Sequence, residues 1–242
     1  MRCFFCSSIT QGIISTDLIP STEVYHIFKV LRSKKNTNIL LIDGLGTIAE
    51  AEILNKNELK VSSIKKLSPS LKNIHLFVAP PKKNSMDIIL KQAAEIGLAS
   101  VNLIQTEHSV AVHSKDSLPE RMITLLKEGC KQAHNPFLPK LNPVISLNDF
   151  LNIKNDFDAC FFGSTLKCSE NFDSITINNP HKPNELHRAN VANIAWIVGP
   201  EGGFSTQEES LLIENNISPV QIGRWVLRVE TACLAGAVIF NS

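Results

Sequence analysis

The stretch that decides the fold is residues 194–205, IAWIVGPEGGFS, together with residues 219–232, PVQIGRWVLRVETA. The first stretch begins with an apolar run, residues 194–198, that is typical of a buried strand, and the second begins with a predicted strand at residues 219–222. A glycine-bearing turn follows each run, with Gly202 and Gly203 in the first and Gly223 in the second. Ligands of α/β proteins bind where turns leave the carboxyl ends of strands. The sequence therefore predicts a ligand site that is built from two neighbouring turns.

The first turn has the composition of a backbone cradle. Glycine permits positive φ angles and lets a ligand approach the main chain without a Cβ in the way. Ser205, with Glu208 three residues later, is typical of a capping box that starts a helix. No lysine follows the glycines, as a phosphate-binding loop requires, and the dinucleotide pattern G-x-G-x-x-G is missing. Because Glu201 is a poor neighbour for pyrophosphate, a ligand with neutral polar edges or a positive centre fits better.

Composition limits the classes of protein to consider. The chain has 242 residues, 43% hydrophobic and 19% charged, which is enough for one large or two modest domains. Its net charge of +1 excludes a global basic field, so any RNA contact must come from local patches. Neither a signal peptide nor an apolar run of about 18 residues is present, and we expect a cytoplasmic protein outside the membrane.

Cysteine usage gives no sign of a disulfide framework. The six cysteines are too few for one in a chain of this length. Cys3 and Cys6 form a C-x-x-C pattern without a second pair, which favours an N-terminal strand over a zinc or redox site. His181 and His187 do not form a metal-ligand pattern with cysteines, so we expect no metal.

The two motifs GPEGGFS at 199–205 and IGRWVLRVETA at 222–232 resemble the signature pair of the ribosomal RNA small subunit methyltransferase E family, within the SPOUT superfamily. The resemblance implies an α/β fold, in which a knotted (deep trefoil) parallel-sheet methyltransferase domain follows a small PUA-like β-barrel domain. It implies S-adenosyl-L-methionine as cofactor and N3 of a uridine in 16S ribosomal RNA, uridine 1498 in the family, as acceptor on the assembled small subunit. SPOUT active sites generally form between two subunits, so a homodimer is also implied.

The resemblance further implies roles for individual residues. Arg228 would stabilise charge that develops on the uracil carbonyl oxygens, and Glu230 would orient or accept the N3 proton. The alternative is a salt bridge between these two side chains at the start of the last helix. Thr231 is either a helix cap or a cofactor contact. The predicted cofactor-binding residues are Gly163, Gly199, Pro200, Glu201, Gly202, Gly203, Ile222, Gly223, Val226, Leu227, Thr231 and Ala232.

Residues 1–70 are predicted to form the smaller, β-rich domain. An amphipathic helix over 22–32 follows Pro20, with Ser21 as its capping candidate. Strands are predicted at 38–43, 47–53 and 58–67, with a glycine hairpin between the first two. By resemblance this is the RNA-binding domain, and its candidate phosphate contacts are Arg2, Lys29, Arg32, Lys34 and Lys35. For each of these the alternative is an ordinary solvated side chain.

Residues 71–242 are predicted to alternate strands and helices after the linker signal at 68–70. A strand at 73–79, a helix at 85–96 closed by Gly97, and a strand at 101–104 form a βαβ unit, which implies a parallel sheet. A helix at 119–134 and a strand at 158–163 follow. Residues 164–193 have little periodicity and are predicted to be a loop, with a short strand near Ile175 and a helix from Pro183.

The chain departs from the family pattern at His108, Asn135 and Trp225, where the family often has arginine. Trp225 either stacks on a base or fills the core of a dimer interface. Two functions of other classes stay open: an RNA-binding ribosome assembly factor with a decayed methyl-transfer site, and a nucleotide-binding α/β enzyme. The intact turn motifs argue against the first, and the missing phosphate motifs argue against the second.

Overall fold

The structure is a computed structural model, which describes residues 1–32, 34–81, 83–109, 120–165 and 193–241. These residues form a five-stranded and a six-stranded β-sheet with helices packed against them. The strand predicted near Ile175, the helix predicted from Pro183, and both His181 and His187 lie outside the described residues.

The five-stranded sheet is built from the first third of the chain. Its strands are β1 (Arg2–Phe5), β2 (Gly12–Ser15), β3 (Asn38–Ile42), β4 (Thr47–Ile53) and β5 (Glu58–Lys66), in the order β1-β3-β4-β5-β2. β1 runs parallel to β3, and the other pairs are antiparallel. The predicted hairpin between β3 and β4 is confirmed, with Gly44 and Gly46 at φ angles of 78° and 100°. Cys3 lies in β1, and both Cys3 and Cys6 are buried free thiols.

The helix predicted over 22–32 differs from the observed one. α1 spans Ser21–Tyr25 and runs into a π-helical turn, His26–Val30. The predicted serine cap is wrong, because Pro20 holds the N-cap position and its carbonyl accepts from the N–H groups of Glu23 and Val24. Ser21 is already inside the helix.

The six-stranded sheet carries the site. Its strands are β6 (Asn73–Val78), β7 (Ser100–Gln105), β8 (Lys140–Ser146), β9 (Ala159–Gly163), β10 (Asn193–Val198) and β11 (Ser218–Val220), in the order β11-β9-β10-β6-β7-β8. All neighbours are parallel, which confirms the prediction. β10 lies inside the sheet and reads as a continuous apolar run because both of its faces are covered, and Trp196 and Ile197 are fully buried.

Helices cover both faces of this sheet. They are α2 (Lys83–Ile96), α3 (Glu120–Ala133), α4 (Leu147–Ile153), α5 (Thr206–Glu214) and α6 (Val229–Asn241). Side chains of α2, α3 and α6 share one core cluster, whereas those of α4 and α5 share another. Gly97 ends α2 at a φ angle of 83°, as predicted. The described helices include none long and apolar enough to cross a membrane.

The two sheets are in contact through α3 and β1. The Lys131 ammonium lies 2.9 Å from a carboxylate oxygen of Glu23, whose other oxygen accepts the Phe5 N–H at 3.1 Å. Cys3 and Phe5 of β1 belong to the core cluster of the six-stranded sheet. The two sheets therefore share apolar as well as charged contacts. A domain boundary at residue 70 stays a prediction.

Candidate functional site at the ends of three parallel strands

Three neighbouring strands end at one level of the sheet. In the parallel registers, Phe162 of β9 lies beside Ile197 of β10, and Gly163 lies beside Val220 of β11. The turns that follow these strands therefore leave the same edge, where α/β proteins bind ligands. The Ser164 N–H donates to the Val220 carbonyl at 3.1 Å and ties the first turn to the third. The structure thus brings together the cofactor-binding candidates of all three turns, and their role in binding stays a prediction.

The turn after β10 contains two glycines with different surroundings, because Gly199 is in contact with a side chain and Gly203 faces open space. A Cβ at Gly199 would lie 3.2 Å from the Phe204 ring, so this position is small because the turn folds back on itself. Gly203 has a φ angle of 72°, and a Cβ there would meet nothing within 4 Å. Its N–H donates to the Pro200 carbonyl at 2.9 Å, which closes the turn. Gly203 therefore presents backbone to open space, as a ligand cradle requires.

The loop after β7 braces this turn from outside. The predicted capping box of α5 is present, with one Glu208 carboxylate oxygen accepting the Ser205 N–H at 2.9 Å. The other oxygen accepts the Glu107 N–H at 2.8 Å. His108 Nδ1 lies 3.1 Å from the Gly203 carbonyl oxygen and must donate to it, since a carbonyl oxygen only accepts. We call these contacts of Glu107, His108 and Glu208 the brace.

The brace also explains Gly202. A Cβ at this position would lie 3.0 Å from the Cβ of His108, which is closer than real Cβ contacts normally come. Gly202 therefore lets the loop after β7 approach the turn. This contact of His108 could not be predicted from the sequence, because its partner lies 95 residues away in the chain.

The turn after β11 leaves large side chains in solvent. The Gln221 amide donates to the Gly223 carbonyl at 3.2 Å and holds the turn. Ile222 and Leu227 are half-buried, whereas Val226 is 81% exposed. Apolar surface therefore lies in the turn that ends β11, at the edge of the sheet where the open backbone of Gly203 also lies.

The two predicted catalytic side chains lie at the start of α6. The Arg228 carbonyl accepts the Ala232 N–H at 2.8 Å, so Arg228 rather than Thr231 holds the N-cap position. Its side chain is exposed, and Glu230 is half-buried in the first turn. The salt bridge considered between them is not among the ion pairs of the described residues. Within the described residues, neither side chain is therefore held in an ion pair.

Trp196 fixes α6 against the centre of the sheet. Its indole N–H donates to the Ala232 carbonyl at 3.2 Å. A Cβ at Gly236 would lie 2.3 Å from the indole, so helix and ring are in direct contact. At the far end of α6, Phe240 stacks on Phe161 with ring centroids 4.8 Å apart. This packing positions the first turn of α6 relative to β10.

A buried carboxyl group, that of Glu209 in α5, contacts the turn that follows β9. Glu209 is 8% exposed, and the Ser164 hydroxyl donates to it at 3.3 Å. Burial raises the pKa of Glu209, and the hydrogen bond from Ser164 opposes that rise. Glu209 is not among the site residues predicted from the sequence. A local signal was present, because Glu209 holds the N4 position of α5, which often packs against the residue before the N-cap.

The predicted RNA contacts lie in β1, in the π-helical turn and in the connection from that turn to β3. The side chains concerned are exposed: Arg2, Lys29, Arg32, Lys34 and Lys35. Exposure is what phosphate binding needs and is equally expected of solvated cations. Within the described ranges, no group of three or more metal-ligating side chains occurs.

Comparison with known proteins defines the class. The chain matches the model of an RNA methyltransferase domain over residues 68–241 and that of an RNA methyltransferase PUA domain over residues 19–62. Because the first match covers well over half of the chain, the protein belongs to this family of RNA methyltransferases. The fold class predicted from the motifs, a parallel-sheet methyltransferase unit preceded by a PUA-like one, is thereby confirmed, while the trefoil knot stays a prediction.

Individual relatives show which group of RNA methyltransferases the chain is similar to. Ribosomal RNA small subunit methyltransferase E 2 of Borreliella burgdorferi is 26% identical over 239 residues, which cover 93% of this chain and 90% of the relative. Ribosomal RNA small subunit methyltransferase E of Synechocystis is 25% identical, with 92% and 71% covered. The crystal structure of the Neisseria gonorrhoeae methyltransferase E bound to S-adenosyl methionine shares the fold, with a TM-score of 0.80, 24% identity, and 99% and 96% of the chains covered. The resemblance to the methyltransferase E group is confirmed.

Proposed function

We propose that the protein transfers the methyl group of S-adenosyl-L-methionine to N3 of a specific uridine in 16S ribosomal RNA, on the assembled small subunit. The named relatives support the RNA class, and uridine 1498 is the target that the resembled family suggests. The observation that carries the proposal is the convergence of three turns at one sheet edge, with open backbone at Gly203.

The residues of the site fit this cofactor. S-adenosyl-L-methionine presents an adenine with polar edges and apolar faces, and its sulfonium is positive. Gly203 leaves open space where a side chain would stand, so a ligand can approach the main chain there, while Ile222, Val226 and Leu227 offer apolar surface. Glu201 lies in the turn and no lysine follows its glycines, so the charges suit a cation better than a pyrophosphate.

When bound, the cofactor supplies an electrophilic methyl group, and the protein must activate the acceptor. Uracil N3 becomes nucleophilic when it loses its proton, and the resulting negative charge spreads to the carbonyl oxygens. Arg228 is exposed and outside any ion pair of the described residues, so its guanidinium is available to stabilise that charge. Glu230, two residues later, is the proposed proton acceptor or orienting group.

The other partners are proposed on the same basis. Phosphate contacts that position the RNA come from five exposed cations in the first quarter of the chain, Arg2, Lys29, Arg32, Lys34 and Lys35. A homodimer in the cytoplasm, without a metal, is the expected form of the enzyme.

Nucleoside mass spectrometry tests the proposal. Small subunits from cells that lack the gene are incubated with purified protein and isotopically labelled S-adenosyl-L-methionine, with free 16S RNA as a parallel substrate. We expect labelled 3-methyluridine with the subunits, lost in Arg228→Ala and retained in the control Lys56→Ala, whose side chain is exposed and remote in sequence from the site.

The possible outcomes separate the alternatives. Label in another nucleoside would refute the uridine assignment while supporting methyl transfer. Cofactor binding without label in any nucleoside would refute this RNA as the acceptor. Absence of cofactor binding would refute the methyltransferase function and favour an assembly factor.

A further inference from the structure

The two tryptophans of the chain occupy opposite environments. Trp196 is fully buried in β10, whereas Trp225 is 74% exposed in the turn before α6. Indole rings normally bury most of their large apolar surface, so an exposed one next to a ligand site indicates a contact that the isolated chain does not make. The position of Trp225 between Gly223 and Arg228 puts it in the turn that also carries cofactor-binding and catalytic candidates.

The surroundings of Trp225 are positively charged. The Arg224 guanidinium lies over the indole, 5.2 Å from the ring centroid. Residues 224–228 contain two arginines and no acidic residue. The Gln221–Gly223 hydrogen bond holds one end of this segment, and the Arg228 carbonyl starts α6 at the other. An aromatic ring beside guanidinium groups, presented from a segment fixed at both ends, is the arrangement with which proteins bind unpaired bases.

We infer that Trp225 is a stacking platform for an unpaired base of the RNA substrate next to the target uridine, with Arg224 supporting the ring and contacting the adjacent phosphate. This inference rests on the proposed function and adds a residue that positions the substrate. Charge complementarity favours RNA over a second copy of the chain. A symmetric contact centred on Trp225 would bring Arg224 and Arg228 of both copies together, and like charges would oppose it.

Tryptophan fluorescence isolates the proposed contact. Because Trp196 is buried, the emission quenched by acrylamide comes from Trp225, and the difference between wild type and Trp225→Phe gives its spectrum. We expect a uridine-containing single-stranded oligonucleotide to quench this difference signal and to protect it from acrylamide. S-adenosylhomocysteine alone should leave it unchanged.

Binding measurements give the size of the effect. Loss of one base–aromatic stack in Trp225→Ala should weaken binding of the target RNA fragment by about 5- to 150-fold. Trp225→Phe should restore most of this loss, because a phenyl ring still stacks. The control Leu71→Ala removes an apolar side chain that is 92% exposed and should bind as wild type does.

The inference and the proposed function fail in different ways. Methyl transfer by wild type with no quenching by RNA and an unchanged affinity of Trp225→Ala would overturn the inference alone. Quenching by S-adenosylhomocysteine would assign Trp225 to the cofactor instead. Acrylamide protection that rises with protein concentration in the absence of RNA would assign it to a dimer interface. Absence of methyl transfer by wild type would refute the proposed function, whatever Trp225 does.

Discussion

Removing the Glu208 side chain tests whether the brace holds the turn after β10. In Glu208→Ala, the N–H groups of Ser205 and Glu107 lose acceptors at 2.9 and 2.8 Å. Both donors are near the surface and regain water, so each loss should cost about 0.5–1.5 kcal/mol rather than the larger value of a buried charged hydrogen bond. We expect the free energy of unfolding to fall by about 1–3 kcal/mol.

The isosteric variant sharpens the test. Glu208→Gln keeps one acceptor oxygen and the packing of the side chain, so it should lose about half as much free energy as Glu208→Ala. Glu214→Ala, an exposed glutamate at the other end of α5, should stay within about 0.5 kcal/mol of wild type. Urea unfolding that is followed by circular dichroism gives the three values, provided that the slopes agree.

Cofactor binding connects the brace to function. Loosening a preformed cradle adds the free energy of ordering it to the free energy of binding, so each 1.4 kcal/mol would weaken binding about tenfold. In calorimetric titration with S-adenosylhomocysteine, we expect wild type to bind most tightly, Glu208→Gln less tightly and Glu208→Ala least tightly. If Glu208→Ala has the same free energy of unfolding and the same affinity for S-adenosylhomocysteine as Glu214→Ala, the proposed role of the brace is wrong.

Three further changes test the packing around the site. Burial favours the neutral form of Glu209 and raises its pKa. The stabilisation by this carboxyl group is therefore fully present below the ordinary pKa of 4.5, and it is lost as the pH rises through the pKa of the folded protein. Glu209→Gln should therefore unfold at a higher urea concentration than wild type at pH 8 but not at pH 4, and equal differences at both pH values would contradict this. Gly236→Ala forces a methyl group onto the Trp196 ring and should lower the free energy of unfolding by about 1–3 kcal/mol, measured by thermal unfolding. The fluorescence emission of the buried Trp196 should shift as well, and unchanged emission would mean that the contact is loose. Lys131→Met breaks a partly buried ion pair with Glu23 and should cost about 1–3 kcal/mol, and a double-mutant cycle with Glu23→Gln that shows no coupling would rule the pair out.

Local signals in the sequence predicted the centre of the site. The apolar run of β10, the glycines of the following turn and the Ser205 capping box all specify their structure within a few neighbouring residues, so the sequence predicts them. The parallel sheet followed from the βαβ pattern. β8 and α4 were missed, although Ser146 and Asp149 form a capping box, because Pro143 and flanking polar residues hide the strand.

Tertiary contacts account for what the sequence could not show. Glu107 and Glu208 are 101 residues apart, and no periodicity or spacing relates them. The π-helical turn at His26–Val30 was also not predicted, since the amphipathic pattern there indicates an ordinary helix. The catalytic assignment of Arg228 came from resemblance alone, and the structure adds that this side chain is exposed at a helix N-cap.

The turn after β10 and the segment before α6 differ in how many contacts within the chain hold them in place. The turn after β10 is held by its own hydrogen bond, by the capping box and by the brace, so its open backbone at Gly203 exists before any ligand arrives. Within the described residues, the hydrogen bonds that hold the segment containing Trp225 and Val226 lie at its ends, and both of these side chains are largely exposed. A small cofactor gains from a preformed cradle because little ordering opposes binding. A flexible RNA strand instead needs exposed surface on which bases can stack, and this segment provides it.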